Sequence, residues 1–279
     1  MLLLSWVGIV AVDGEISAKS LTLEEAIANL RSEDASLRYY AAWWVGRFRV
    51  SQPDVIEALI EALDYEGDRT EAGGLPLQRN AARALGKLAD RSAVPALIRS
   101  LTSPDYYVRE AAAQSLGQLA DDRAVPGLVA LLEGGVAVAV VAPGQPHLVQ
   151  PYDAVLEALG NLQAQGAIDL IRPFTEHSVP KVQYAAVRAL YQLTGDDQWG
   201  ERLVAALRGP DLQLRRALMG DVGAIGYLAG AAAIAQTEAE NSLKLIALKG
   251  LVEHPNATPD GQTLTDEGRR ILVLMDGLL

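Results

Sequence analysis

Apolar residues recur along this chain at the three- and four-residue spacing that places them on one side of a helix. Val94, Leu97, Ile98 and Leu101 form one such stripe; Val108, Ala112, Leu116 and Leu119 form the next. Between them, Ser103-Pro104-Asp105 has the chemistry of a turn. The segment LADRSAVPALI (Leu88–Ile98) returns as LADDRAVPGLV (Leu119–Val129), 31 residues further on. Pro95 and Pro126 stand at helix starts, where a missing N–H costs nothing. The Ala-rich second helices align on one column: Gly46, Gly86, Gly117, Gly160, Tyr191, Gly223 and Gly250, with steps of 40, 31, 43, 31, 32 and 27 residues. A period near 31 with a helix–turn–helix pattern predicts stacked helical pairs. One pair cannot bury its apolar faces alone, but a stack can. The expected fold is all-α: an α-solenoid, a right-handed superhelix of about seven short pairs, spanning 21–279 as a single domain.

Two insertions interrupt the period, at 65–74 and 133–150, and both fall between the helices of a pair. A shared register predicts that both project from one edge. The second alternates small apolar residues, Gly134 to Val141, before Pro143-Gly144-Gln145-Pro146-His147. That pattern suits a β-hairpin, an ordered lid or a flexible excursion.

Composition narrows the function. The chain has 279 residues, half of them hydrophobic, which excludes a disordered protein. With no Cys there is no disulfide, thiolate nucleophile or Cys-ligated metal, and three scattered His make a metal site an unpromising reading. A net charge of −11 argues against nucleic-acid binding. No apolar run reaches the roughly 18 residues of a membrane span. Residues 1–20 read as an N-terminal extension: MLLLSWVGIVAV has the length of a signal-peptide core but no basic segment before it, and Asp13 and Glu15 follow. The expected location is the cytoplasm.

On the second helices, the positions seven before, three before and one after the column share a face. They read Tyr39, Trp43, Arg47; Arg79, Arg83, Lys87; Glu110, Gln114, Gln118; Asp153, Glu157, Asn161; Tyr184, Arg188, Gln192; Arg216, Gly220, Ala224; and Leu243, Ala247, Leu251. Second helices of such stacks usually line the concave surface. Tyr39 and Trp43 beside three cations suit a flat conjugated ligand bearing carboxylates. The plainer alternatives are an N-terminal segment covering the aromatics and salt bridges consuming the cations. Trp44, one position off the stripe, reads as core. The apolar stripe of the last repeat is expected either to be capped by 265–279, through Ile271, Leu272 and Leu274, or to dock a partner. No catalytic motif is legible. Asp153 and Glu157, at i and i+4, and His147 in the second insertion are candidate acid–base groups, or else a solvated acidic face and a chance loop residue.

The run Leu37–Arg49 (LRYYAAWWVGRFR) resembles the first repeat of phycobilin lyases of the E/F type, and is most similar to their E subunits. The runs LGKLADRSAVPALIRSL (85–101) and LGQLADDRAVPGLVALL (116–132) resemble that family's HEAT-like repeats. The resemblance covers roughly 20–279. It implies a subunit that works with a homologous F-type subunit and binds phycocyanobilin, an open-chain tetrapyrrole with two propionates. The pair would promote thioether formation between a Cys of apo-phycocyanin α and the bilin's ethylidene group. It implies bilin as substrate and no separate cofactor. The attacking thiol belongs to the substrate protein, in keeping with a Cys-free chain. Isomerisation, which in some relatives uses a Cys-His motif of the F-type partner, is not assigned here. The resemblance supplies no catalytic residue. The candidate substrate-binding residues are therefore Tyr39, Trp43, Arg47, Arg79, Arg83, Lys87, Tyr184 and Arg188. The competing expectation is a scaffold that binds phycobiliprotein subunits without chromophore.

Overall fold

A computed structural model of the chain describes residues 21–279; the extension expected at 1–20 lies outside the described residues. Among the described residues fifteen α-helices are joined by turns and short 3₁₀ segments, and there is no β-strand. Seven pairs follow one another: α1 (Leu23–Leu30) with α2 (Ala35–Phe48), α3 (Pro53–Leu63) with α4 (Pro76–Leu88), and α5 (Val94–Ser100) with α6 (Tyr106–Leu119). Then come α7 (Val125–Ala130) with α8 (Tyr152–Asn161), α9 (Ile168–Ile171) with α10 (Pro180–Thr194), α11 (Asp197–Ala206) with α12 (Leu212–Ala224), and α13 (Ala231–Gln236) with α14 (Asn241–Glu253). A final helix, α15 (Asp266–Asp276), packs on α13 and α14. No helix among the described residues is long and apolar enough to cross a membrane.

Local chemistry sets the repeat boundaries. Asp34, Asp105, Asp196 and Asp211 cap the starts of α2, α6, α11 and α12, each accepting from backbone N–H groups left open by the first turn. In the Leu-Ala-Asp runs, Ala89 and Ala120 end α4 and α6 in the left-handed region, at φ 58° and 49°. Asp90 and Asp121 then cap the next turn. Arg91 reaches forward along the stack and donates to the carbonyls of Leu119 and Ala120 at the open end of α6, at 3.2 and 2.9 Å. Gln165, five residues after its column glycine as Arg91 is after its own, donates to the Leu193 carbonyl near the end of α10. One repeat therefore closes the helix end of the next.

The second helices stack side by side, α2 on α4 on α6 on α8 on α10, and α12 on α14. The glycine column is what lets them meet. A Cβ at Gly46, Gly117 or Gly160 would lie 2.9 Å from the Cα of Ala84, Ala158 or Ala189 on the next helix. In every case the facing residue is two before the next column position. At the fifth repeat Tyr191 occupies the column, and α10 meets α12 over a much shorter seam. The Tyr191 ring packs edge-on against Tyr227 instead, 5.4 Å between centroids.

The same rule corrects the alignment of the last repeat. Gly223 faces Ala247, so the column position in α14 is Lys249, not Gly250. The open-face positions there become Ser242, Ile246 and Gly250. The expected exposed stripe of Leu243, Ala247 and Leu251 is instead turned inward: Ala247 and Leu251 are buried and Leu243 is partly so, while Ile246 is 65% exposed. Helix α15 caps the end of the stack, burying Ile271 and packing Leu274, but Leu272 points out. Asn241 of α14 ties to the chain end by donating to the Leu278 carbonyl.

Candidate functional site

The face formed by the second helices is open and polar, and it curves. Lys181, in the first turn of α10, pairs with Asp153 of α8 and also reaches past α8 to Glu110 of α6, at 3.8 Å. Helices set in a flat row ~8–10 Å apart would not permit that reach, so the face is concave here.

At its N-terminal end lies an aromatic platform. Trp43 is half exposed and stacks on Tyr40, with 5.7 Å between ring centroids and 28° between planes. Trp44 is buried, as its position off the stripe predicts. Tyr39, expected beside Trp43, is not part of the platform: it is partly buried against the core. Burial, with a hydrogen bond to the Asp68 carboxylate, pushes its phenol up to about 12. Its place is taken by Tyr40, one residue on. Arg47 and Lys87 are exposed near the platform and form no ion pair among the described residues. Arg83, at the same face, approaches the largely covered Glu110 at a loose 3.9 Å, beyond hydrogen-bond distance, and its own side chain stays nearly half exposed.

The middle of the face is a run of opposed charges. Arg188 of α10 donates to Asp221 of α12 at 2.8 Å and lies 3.7 Å from Glu157 of α8. Glu157 is pushed up to about 7, first by burial and then by the neighbouring Asp221 and Asp153 carboxylates; Arg188 and Lys181 oppose the shift. Asp153 is buried and held by Lys181, so of the two candidate carboxylates Glu157 is the one poised to exchange a proton near neutrality. Tyr184 leans into the core and offers little ring to the open face.

Arg79 and His147 belong to a different place, and the sequence pattern gives no hint that they meet. Residues 140–149 of the second insertion form a minimal hairpin, closed by the Val141–Leu148 bridge and by the Ala142 N–H donating to the His147 carbonyl at 2.9 Å. Its tip reaches toward the first insertion, and the two close a cleft of about 470 Å³ over the start of α6. His147 stacks flat on Tyr106 at 4.0 Å and edge-on to Tyr107 at 5.8 Å. Its Nδ1 lies 2.8 Å from the Leu148 carbonyl, which can only accept, so Nδ1 carries the proton. Arg109 anchors the hairpin by donating to Gln150, Val149, Ser103 and Pro104.

Comparison with known proteins identifies the repeats and the family. HEAT repeats match residues 76–140, and the PBS lyase HEAT-like repeat matches 37–65 and 182–209. The phycocyanobilin lyase subunit alpha of Nostoc sp. strain PCC 7120 is 61% identical over 260 residues, spanning 93% of this chain and 94% of that protein. The chain belongs to the phycocyanobilin lyase alpha-subunit family. The subunit of the same name from Synechocystis sp. strain PCC 6803 is 59% identical, over 92% of this chain and 96% of its own. Bilin biosynthesis protein RpcE of Synechococcus sp. strain WH8020 is 44% identical over 88% of this chain and 94% of its own. In solved form, the complex of CpcE and CpcF of phycocyanin lyase from the Nostoc strain contains a chain that superposes with a TM-score of 0.87 at 58% identity. It covers 99% of this chain and 100% of that one. In this chain the first repeat supplies the Tyr40–Trp43 platform, and the two insertions build the cleft.

Proposed function

We propose that this chain is one subunit of a heteromeric bilin lyase: with an F-type partner it binds phycocyanobilin and promotes its thioether attachment to a cysteine of the apo-phycocyanin α subunit. The observation that carries this is identity of about 60%, over nearly the whole length of both chains, to phycocyanobilin lyase alpha subunits. The reaction is an addition. The substrate thiol forms a C–S bond to the ethylidene carbon, the exocyclic double bond is consumed, and the thiol proton ends on the tetrapyrrole. Nothing is oxidised and no group leaves, so a chain without Cys needs only to bind, orient and manage one proton. The cytoplasm, where thiols stay reduced, suits that chemistry.

The bilin lies on the concave face, with pyrrole rings against Tyr40 and Trp43, where Arg47, Arg83 and Lys87 are within one or two helical turns of the platform and loosely engaged or unengaged. Glu157, half-protonated near pH 7, is the candidate to exchange a proton with a pyrrole nitrogen. Holding an extended chromophore against one cysteine removes much of the entropic barrier, worth ~7 kcal/mol at best. Trp43→Ala and Arg83→Ala test the placement. Each should fold and pair with the F-type subunit, yet weaken bilin binding by roughly 1–3 kcal/mol, the size of a lost charge-assisted or stacking contact. Absorbance of bilin co-purifying with the pair is the readout. Unchanged affinity and attachment rate in both variants would move the chromophore elsewhere and favour a scaffold that binds protein alone.

A further inference from the structure

The cleft between the two insertions contains one arginine whose charge the fold leaves unanswered. Arg38, Arg188 and Arg215 each bury an Nε with no acceptor, but each has a terminal nitrogen engaged, by the Ser32 carbonyl, by Asp221, and by the Gly209 and Glu238 carbonyls respectively. Arg79 also buries its Nε without an acceptor, and none of its guanidinium nitrogens forms a hydrogen bond or ion pair among the described residues. Its only described partner is the Tyr107 ring, 5.8 Å from the guanidinium carbon to the centroid. The other cation of the cleft, Arg109, is fully used in holding the hairpin. The one carboxylate, Asp105, already accepts from the N–H groups of Leu75 and Tyr107, at 2.7 Å each. A second cavity, about 540 Å³ between α11, α12 and α13, is lined by two arginines, but Arg215 is held by two carbonyls and Arg208 is exposed with no buried nitrogen.

The unanswered group is thus a forked cation at the back of a cleft with aromatic walls. The Tyr106–His147 stack forms one wall and Tyr107 another; Gln145 stands at the mouth. A fork of N–H donors matches a carboxylate, and aromatic walls match a flat conjugated ring. At about 470 Å³ the cleft is too small for a whole tetrapyrrole with its side arms but fits one ring with its acid arm. Arg79 and Arg83 sit one turn apart on α4, ~6 Å along its axis, so the cleft adjoins the concave face.

We infer that the insertion cleft is the anchor for one bilin propionate, with Arg79 binding the carboxylate and the His147 hairpin closing over the adjoining ring. This rests on the bilin-binding reading above and adds a second contact zone to it. It also separates Arg79 from Arg83 and Lys87, which meet the bilin on the open face.

The test compares phycocyanobilin as its free acid and as its dimethyl ester, titrated into the complex of this chain with its F-type partner and followed by visible absorbance. The wild-type complex should prefer the acid by about tenfold or more. Arg79→Gln should lower affinity for the acid about tenfold, leave the ester nearly unaffected, and melt at the wild-type temperature; Arg79→Lys should recover part of the loss. Gln145→Trp, an exposed hairpin change that should not disturb folding, should fill the mouth and weaken acid and ester alike. Wild-type discrimination by Arg79→Gln together with wild-type affinity of Gln145→Trp would overturn the cleft site. If Trp43→Ala still lost bilin in that case, the bilin-binding reading would stand without the cleft. Failure of the wild-type complex to bind either form would overturn both.

Discussion

Glu157 gathers charges from three helices: Asp153 of its own α8, Lys181 and Arg188 of α10, and Asp221 of α12. Its carboxyl is raised to about 7, from the ordinary 4.5, chiefly by burial. A carboxyl raised in the folded state is better protonated there than in the unfolded chain. Its folded form is therefore disfavoured as pH climbs from about 4.5 and fully so above about 7. Asp221 is raised for the same reason, so the two act in one direction. The expected outcome is a stability that declines between about pH 4.5 and 7 and levels off above, with Glu157→Gln flattening the decline and unfolding at higher urea than wild type at pH 8. An equal pH slope in both proteins would remove the buried-carboxylate account. The attachment rate of Glu157→Gln, if Glu157 moves the proton, should also lose a titration near pH 7. At this scale the sequence was partly legible. Trp43 facing out and Trp44 facing in follow from 100° per residue. The choice of Tyr40 over Tyr39 as its stacking partner does not, because i−3 and i−4 neighbours flank a helical residue equally and only the first insertion, through Asp68, takes Tyr39 away.

At the scale of elements, glycine on the second helices is a packing device, and its position decides its value. A methyl at Gly117 would press on the Ala158 backbone at 2.9 Å, and a backbone in the next helix cannot move aside cheaply. Gly220, on α12, meets nothing within 4 Å and has no left-handed φ to preserve. Gly117→Ala should destabilise by about 1–3 kcal/mol, as overpacking does. Gly220→Ala should stabilise by about 0.5–1 kcal/mol through helix propensity and unfolded-state entropy. Urea midpoints of the two variants check the opposite signs; destabilisation by both would mean that the contact geometry is not what sets the effect. The column itself can be read from sequence because a 31-residue echo repeats it. Its last member misleads because Gly250 lies one residue from the true position, Lys249, and a glycine is a stronger lure than a lysine. The cleft was beyond reach for a different reason: Arg79 and His147 are brought together by two irregular loops, and no period governs where those loops end.

Across the whole molecule, the substitution of Tyr191 for glycine divides the stack. Helices α2 to α10 are joined through close glycine contacts, onto backbone from Gly46, Gly117 and Gly160 and onto the Ser115 side chain from Gly86, and α12 meets the α14 backbone through Gly223, but between α10 and α12 the close seam is missing. Three things hold the two blocks: α11 packed between them, the Tyr191–Tyr227 contact, and the Arg188–Asp221 pair. Stability in a solenoid is a sum of repeat terms and neighbour interfaces, so the weakest interface sets where the stack opens first. Amides of α12 and α14 should therefore exchange with deuterium earlier than those of α4, α6 and α8, in a sub-global opening that precedes full unfolding. Asp221→Ala removes the acceptor of the Arg188 bridge together with the side chain that fills the joint. It should speed exchange across α12–α14 by about tenfold and leave α4–α8 unchanged, since neighbour coupling decays along the stack. Uniform protection from α4 to α14, or an Asp221→Ala effect spread evenly over all repeats, would show that the stack behaves as one unit. The position of the joint gives it a use. The charged middle of the concave face spans it, with Glu157 and Arg188 on one side and Asp221 on the other, so opening the joint would alter the groups beside the proposed chromophore path. A subunit that must hold a long, flexible tetrapyrrole and then present it to a second protein has reason to keep one adjustable interface there.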